Sequence, residues 1–206
     1  MLKLHGVRFS NYYSLAKAAL LEKGVEFEEV KESPAQSDEF LAKSPMGRVP
    51  VLGTDEGFFS ESWAIVDYLE RVQPEPALLP AEPFARAKTI ELSRHIELNV
   101  ELVARRCLGA AFFGAEASED KQAETKEDLA KGVGAVQRLM ACDPYAAGAE
   151  FTAADPYAFF SFGLSGQIAQ RMFDMDILAD APEIKALLGR LATRESIAKV
   201  VADQRG

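Results

Sequence analysis

Leu2 and Leu4 alternate with Lys3 and His5, the period of a short strand, and Leu15, Ala16, Ala19 and Leu20 then recur at helical spacing as far as Gly24. Gly24 suits a left-handed position just after the helix end at Lys23. Val25 and Phe27 alternate with Glu26 and Glu28, which predicts a second strand reached by a helical crossover and so parallel to the first. A short helix is expected around Ser37 to Lys43. Val49 to Leu52 and Gly57 to Ser60 then flank Gly53-Thr54-Asp55-Glu56 as the arms of a hairpin, and a helix with Ile65 and Leu69 on one face runs from about Glu61 to Arg71.

The pattern changes at Gln73 to Pro80, where Pro74, Pro76 and Pro80 interrupt any regular element and mark a linker. Beyond it the apolar positions keep only the helical period. Leu92, Ile96, Val100, Val103 and Cys107 recur at steps of four or three, as do Leu129, Val133, Val136 and Met140, so both sets are expected to be core stripes. Near Phe151, Thr152 stands three positions before Asp155 and ahead of an apolar run. That is the logic of a capping box, with Thr152 accepting from the Asp155 amide and Asp155 reaching back to the Thr152 amide, and Asp155 is accordingly assigned to structure. The chain carries no internal repeat.

Composition narrows the function classes mainly by exclusion. With 32 acidic and 23 basic residues and a net charge of −9, the chain has no clustered positive footprint for nucleic acid. The opening Met1 to Gly6 lacks the apolar core of a signal peptide, and no stretch approaches the roughly 18 apolar residues of a membrane span, so a cytoplasmic protein is expected. Cys107 and Cys142 form no CxxC pair and no metal cluster, and buried free thiols are the simpler expectation. The only histidines are His5 and His95, which leaves little material for a catalytic triad or a metal centre.

Three local features fall in one order: Ser10-Asn11-Tyr12-Tyr13 at the head of the first helix, Arg48-Val49-Pro50-Val51-Leu52 at the third strand, and Ser60-Glu61-Ser62 at the opening of the next helix. Together with a helical second half carrying Thr152-Ala153-Ala154-Asp155, they give a chain that resembles, over essentially its whole length, the cytosolic glutathione S-transferases, in a bacterial-like form with a serine-type active site. The resemblance implies an α/β thioredoxin-like domain over residues 1–77, a linker over 78–85 and an all-α domain over 86–206 that shapes the electrophile pocket. It also implies glutathione as co-substrate, no metal, a detoxifying transferase activity on a hydrophobic electrophile, and a homodimer.

A thiol with a pKa of roughly 8.5 is mostly protonated at neutral pH, and lowering it by about two units takes about 2.7 kcal/mol in favour of the thiolate. One hydrogen bond to a charged group supplies about 1.5 to 3 kcal/mol and a helix amino-terminus about 0.3 to 2, so a hydroxyl at a helix head suffices. Ser10 matches the family's serine position; a plain helix N-cap is the other account of it. Asn11 stands where the family often has proline, and its side-chain amide is a second donor for the same sulfur.

In the family the proline corresponding to Pro50 is cis, which turns the preceding backbone outward so that Val49 can pair with the cysteinyl backbone of glutathione like an added strand. The alternative is a trans proline merely starting a strand. Arg48 lies where the family often places Lys or Gln near the glycyl carboxylate, and an exposed arginine accounts for it equally well. Glu61 can pair with the γ-glutamyl ammonium group, while Ser62 and the helix-opening amides suit its carboxylate; an acidic helix start capped by Ser60 would use the same letters. Tyr12 and Tyr13 are expected as pocket wall or as core packing. Arg105 and Phe112, with Arg106, Leu108 and Phe113 around them, lie in a region that borders the electrophile pocket in the family, and core packing is their other reading. A glutathione-dependent isomerase or peroxidase, or a non-catalytic binding protein of the same fold, are the alternative functions.

Overall fold

The computed structural model describes residues 1–205 and divides into two compact units. The first takes Met1–Leu78 together with the chain from Thr193 onward; the second is Leu79–Ala192.

The first unit is a four-stranded sheet with helices. Its elements are β1 (Leu2–Gly6), α1 (Asn11–Glu22), β2 (Phe27–Lys31), the short α2 (Asp38–Leu41), β3 (Val51–Thr54), β4 (Gly57–Ser60) and α3 (Ser62–Val72). The sheet order is β2-β1-β3-β4, with β1 parallel to β2 and antiparallel to β3, and β3 antiparallel to β4. This is the thioredoxin-like arrangement of strand, crossover helix, strand and hairpin. Helix α1 closes as its sequence predicts: Gly24 has φ 62°, its N–H donates to the Leu21 carbonyl, and the Val25 N–H donates to the Leu20 carbonyl. Val25 is thereby spent on the helix end, which is why β2 begins at Phe27. Leu15, Ala16, Ala19 and Leu20 are buried, as are Leu4, Val51 and Leu52 of the sheet. Close approach of α1 to the sheet depends on Gly6, where an added Cβ would lie 2.4 Å from the Tyr13 ring.

The Pro-rich stretch, an interruption by sequence, is pinned rather than loose. Lys23, with its side chain fully buried, donates to the carbonyls of Gln73 (2.7 Å), Pro76 (2.8 Å) and Pro74 (3.2 Å) and pairs with Glu70 at 2.5 Å.

The last helix is α10 (Glu195–Arg205). It joins the first unit and packs on α1. Ile197 and Val200 bury its apolar side, and Arg194 holds Glu22 with two bonds of 2.6 and 2.7 Å. Lys17 of α1, only 2% exposed, bonds Asp203 at 2.6 Å and Glu29 of β2 at 2.7 Å. Burying a lysine is costly unless its charge is paired, and strand and carboxy-terminal helix both supply partners to this one side chain of α1.

The second unit is all helical. Helix α4 (Pro83–Ile96) runs on through a π-helical turn (Glu97–Glu101), a short α5 (Leu102–Ala104), a 3₁₀ turn (Arg105–Cys107) and α6 (Leu108–Phe113); α7 (Glu119–Gln137), α8 (Ala154–Phe173) and α9 (Pro182–Leu191) follow. Leu92, Ile96, Val100, Val103 and Cys107 are all buried despite the change of helix type, as are Leu129, Val133 and Val136. Met140 lies past the end of α7 and is only half-buried.

At the start of α8, fully buried Asp155 accepts from the backbone N–H groups of Thr152 and Ala146, both at 2.8 Å, and from the Thr152 hydroxyl at 3.4 Å. The capping box differs from expectation in one bond. The Thr152 hydroxyl accepts from the Ala154 amide, because the Asp155 amide is taken by the Thr152 carbonyl. Among the described residues no helix is long and apolar enough to cross a membrane.

Candidate functional site

The register of the sheet brings three separate motifs to one end. His5 of β1 faces Val51 of β3, and Val51 faces Ser60 of β4. Continuing each ladder past its last pair places Val7 beside the Val49-Pro50 turn and that turn beside Glu61-Ser62. Burial supports the first of these neighbours, since Val7, Val49, Val51 and Phe40 form one apolar cluster. The loop from Val7 to the head of α1, the proline turn and the head of α3 therefore share one end of the sheet.

Ser10 is the N-cap of α1 and is partly exposed. Its Oγ accepts from the Tyr13 amide at 3.5 Å, a distance at which a cap bond is weak. The hydroxyl proton is not used in that bond, so capping and donation to an incoming sulfur do not compete. Asn11, the first residue of α1, is buried.

The Val49–Pro50 peptide bond is cis, and the ladder of β3 begins only at Val51, so Val49 precedes it. Arg48 is exposed, and its backbone N–H donates to Ser44 Oγ at 3.1 Å. Behind this turn, Glu32 accepts from Lys43 at 2.9 Å and lies 2.7 Å from His5 Nδ1. Burial works to raise the Glu32 pKa, but the Lys43 and His5 hydrogen bonds hold it below the usual carboxylate value.

Glu61 occupies the N-cap position of α3, has φ 77° and ψ 122°, makes no side-chain cap bond and is exposed. Ser60 ends β4, so the N-cap position falls on Glu61. A non-glycine residue in this region of backbone space costs about 1 to 3 kcal/mol and persists where the surroundings impose it, commonly at ligand sites. Nothing in the letters Ser60-Glu61-Ser62 announces that conformation. Ser62 is buried at the first turn of α3.

Of the residues expected as pocket wall or core packing, Tyr13 has the surroundings of the second. It is buried at 3% exposure, and its hydroxyl donates to Glu29 at 2.6 Å. Burial first, and the neighbouring Glu29 carboxylate second, push its phenol pKa well up. It is core packing with its polar end occupied. Tyr12 is half-buried. Arg105 and Phe112 belong to the second unit. Arg105 donates from Nε (2.8 Å) and a terminal nitrogen (2.7 Å) to fully buried Glu101, whose other oxygen accepts from Ser161 at 2.5 Å. The Arg171 guanidinium lies 4.3 Å from the centre of the Phe112 ring. These contacts give both residues a structural occupation.

The sequence matches the family model Glutathione S-transferase, N-terminal domain, over residues 4–77, and Glutathione S-transferase, C-terminal domain, over residues 105–204. The chain belongs to the glutathione S-transferase family. A glutathione S-transferase of Pseudomonas putida is 43% identical over 204 residues, covering 99% of this chain and 93% of that protein. A maleylacetoacetate isomerase of Pseudomonas aeruginosa is 50% identical over 50 residues, but these are 24% of each chain. Among solved structures, a glutathione S-transferase of Methylobacterium radiotolerans, in complex with glutathione sulfonate, is 27% identical with a TM-score of 0.79, covering 97% of this chain and 94% of that one.

Sequence reasoning did not find Ser14, Lys17 or Gln204 as parts of this region. Ser14 donates to the Ser10 carbonyl at 3.1 Å and accepts from Gln204 at 2.8 Å. No local signal links positions so far apart in the chain.

Proposed function

We propose that this glutathione transferase activates its co-substrate through Ser10, whose hydroxyl donates to the glutathione sulfur and holds it as a thiolate at neutral pH. The observation that carries this reading is the convergence of the Ser10 loop, the cis Val49–Pro50 turn and the strained Glu61 at one end of the sheet's strands. Val49 offers its backbone to the cysteinyl unit, Glu61 and Ser62 take the two charges of the γ-glutamyl end, and Arg48 the glycyl carboxylate. Asn11 adds to the field at the head of α1. The thiolate then attacks an electrophilic carbon: a new carbon–sulfur bond forms, and either a leaving group departs with the bonding pair or an adjacent atom takes a proton from water. No covalent enzyme intermediate is needed, and proximity supplies much of the acceleration.

In Ser10→Ala the thiol pKa of bound glutathione, read as thiolate absorbance against pH, is expected to rise by about one to two units, and kcat/KM at neutral pH to fall by about 10- to 100-fold. An unchanged thiol pKa would remove Ser10 from the mechanism. The partial likeness to a maleylacetoacetate isomerase favours isomerisation as the second reading. Product analysis separates the two: conjugation consumes glutathione in a stable adduct, whereas isomerisation returns it.

The same reading places the protein in the cytoplasm as a homodimer. Buried free Cys107 and Cys142 suit a reducing compartment. Leu98 and Leu102, one helical turn apart and 45% and 40% exposed, offer apolar surface to a partner. Sedimentation at the mass of one chain would contradict the dimer.

A further inference from the structure

We propose that Gln204, from the carboxy-terminal helix, is a positioning residue for Ser10 and acts through Ser14; this rests on Ser10 being the donor to sulfur. The cap bond to Ser10 Oγ is stretched to 3.5 Å, so it does little to aim the hydroxyl. What holds Ser10 is its backbone. Its N–H donates to the Val7 carbonyl at 2.9 Å, and its carbonyl accepts from the Ser14 N–H at 3.0 Å and the Ser14 hydroxyl at 3.1 Å.

Ser14 is fully buried and has a single hydroxyl proton. A serine bonding back to the carbonyl four residues earlier is common in helices. A donor supplied from 190 residues away is not. By donating to Ser14 Oγ at 2.8 Å, the Gln204 amide fills the acceptor side of that hydroxyl and commits its proton to the Ser10 carbonyl. The relay therefore runs Gln204 to Ser14 to Ser10, and it fixes the backbone that sets the direction of Ser10 Oγ.

The last helix is itself held firmly enough to serve as a reference. Asp203 bonds Lys17 at 2.6 Å, Arg194 grips Glu22 through two bonds, and Ser196 bonds the same carboxylate. Gln204 is exposed, so replacing it leaves the buried contacts of α10 in place.

The test uses the full-length enzyme and two changes that keep the size of the side chain. Gln204→Glu presents a carboxylate that accepts the Ser14 proton and draws it from Ser10; Gln204→Met removes the donor without adding charge. Both are expected to raise the thiol pKa of bound glutathione and to lower kcat by about two- to tenfold, with KM for glutathione changed by less than about twofold. In a Ser10→Ala background neither should raise the pKa further. A shift of the same size in that background, or no shift in either variant while Ser10→Ala itself raises the pKa, overturns the relay alone. If Ser10→Ala leaves the pKa unchanged, the assignment of Ser10 fails and the relay falls with it.

Discussion

Asp155→Ala is expected to lose about 3 to 5 kcal/mol of stability, read as a lowered urea midpoint at constant slope. The carboxylate is fully buried, and its removal strands the buried amides of Ala146 and Thr152. Each abandoned buried donor costs about 1 to 3 kcal/mol. The sum approaches the whole stability of an ordinary domain, about 5 to 15 kcal/mol, so much of the variant should be insoluble when expressed. Asp155→Asn keeps one acceptor oxygen and should lose less. A midpoint within about 0.5 kcal/mol of wild type in Asp155→Ala would show that the box does not anchor α8.

Lys23→Met is expected to cost a comparable amount, about 3 to 5 kcal/mol, through a different mechanism. The methionine fills the space of the stem but leaves Glu70, whose side chain is 8% exposed, as a buried carboxylate without its cation. Glu70 also accepts from the Leu78 amide at 2.8 Å, so the change reaches the far end of the Pro-rich stretch. The carbonyls of Gln73, Pro74 and Pro76 lose their donor at the same time. Limited proteolysis should therefore cut within residues 73–78 much faster in Lys23→Met than in wild type. Lys23→Arg should not restore resistance, because a planar guanidinium cannot reproduce the converging bonds of an ammonium group. Unchanged cleavage and an unchanged urea midpoint would show that the stretch holds itself.

These two residues show what could and could not be read from the chain. The Asp155 box is local, since donor and acceptor lie within three positions, and only its bond to Ala146 and the partner exchange with Ala154 are set by the fold. Lys23 is the reverse case. In sequence it is an ordinary charged residue before a helix-ending glycine, and its partners lie some 50 positions away. An aromatic near a helix start carries no mark of the side it faces, so the burial of Tyr13 and its Glu29 contact are not legible in the sequence. Arg105 has its four-residue spacing from Glu101 written in the sequence, but not the burial that makes that pair a structural anchor.

The candidate site divides in the same way. That Ser10 heads a helix and that an X-Pro step precedes an apolar strand are statements about neighbours in sequence, and they were legible. The positive φ of Glu61 was not, because it is imposed by the chain passing from β4 into α3 and not by the residue itself. Sequence alone determined the strand and helix periods, the Schellman end of α1, the order of the three motifs and the lack of cysteine in the first unit. Each depends on atoms within about one helical turn or one strand repeat. Tertiary structure alone decided that the three motifs share one end of the sheet, and that the last helix packs on α1. Pairing distant segments is governed by which buried faces and buried charges can satisfy one another, and no local window of the chain contains both partners.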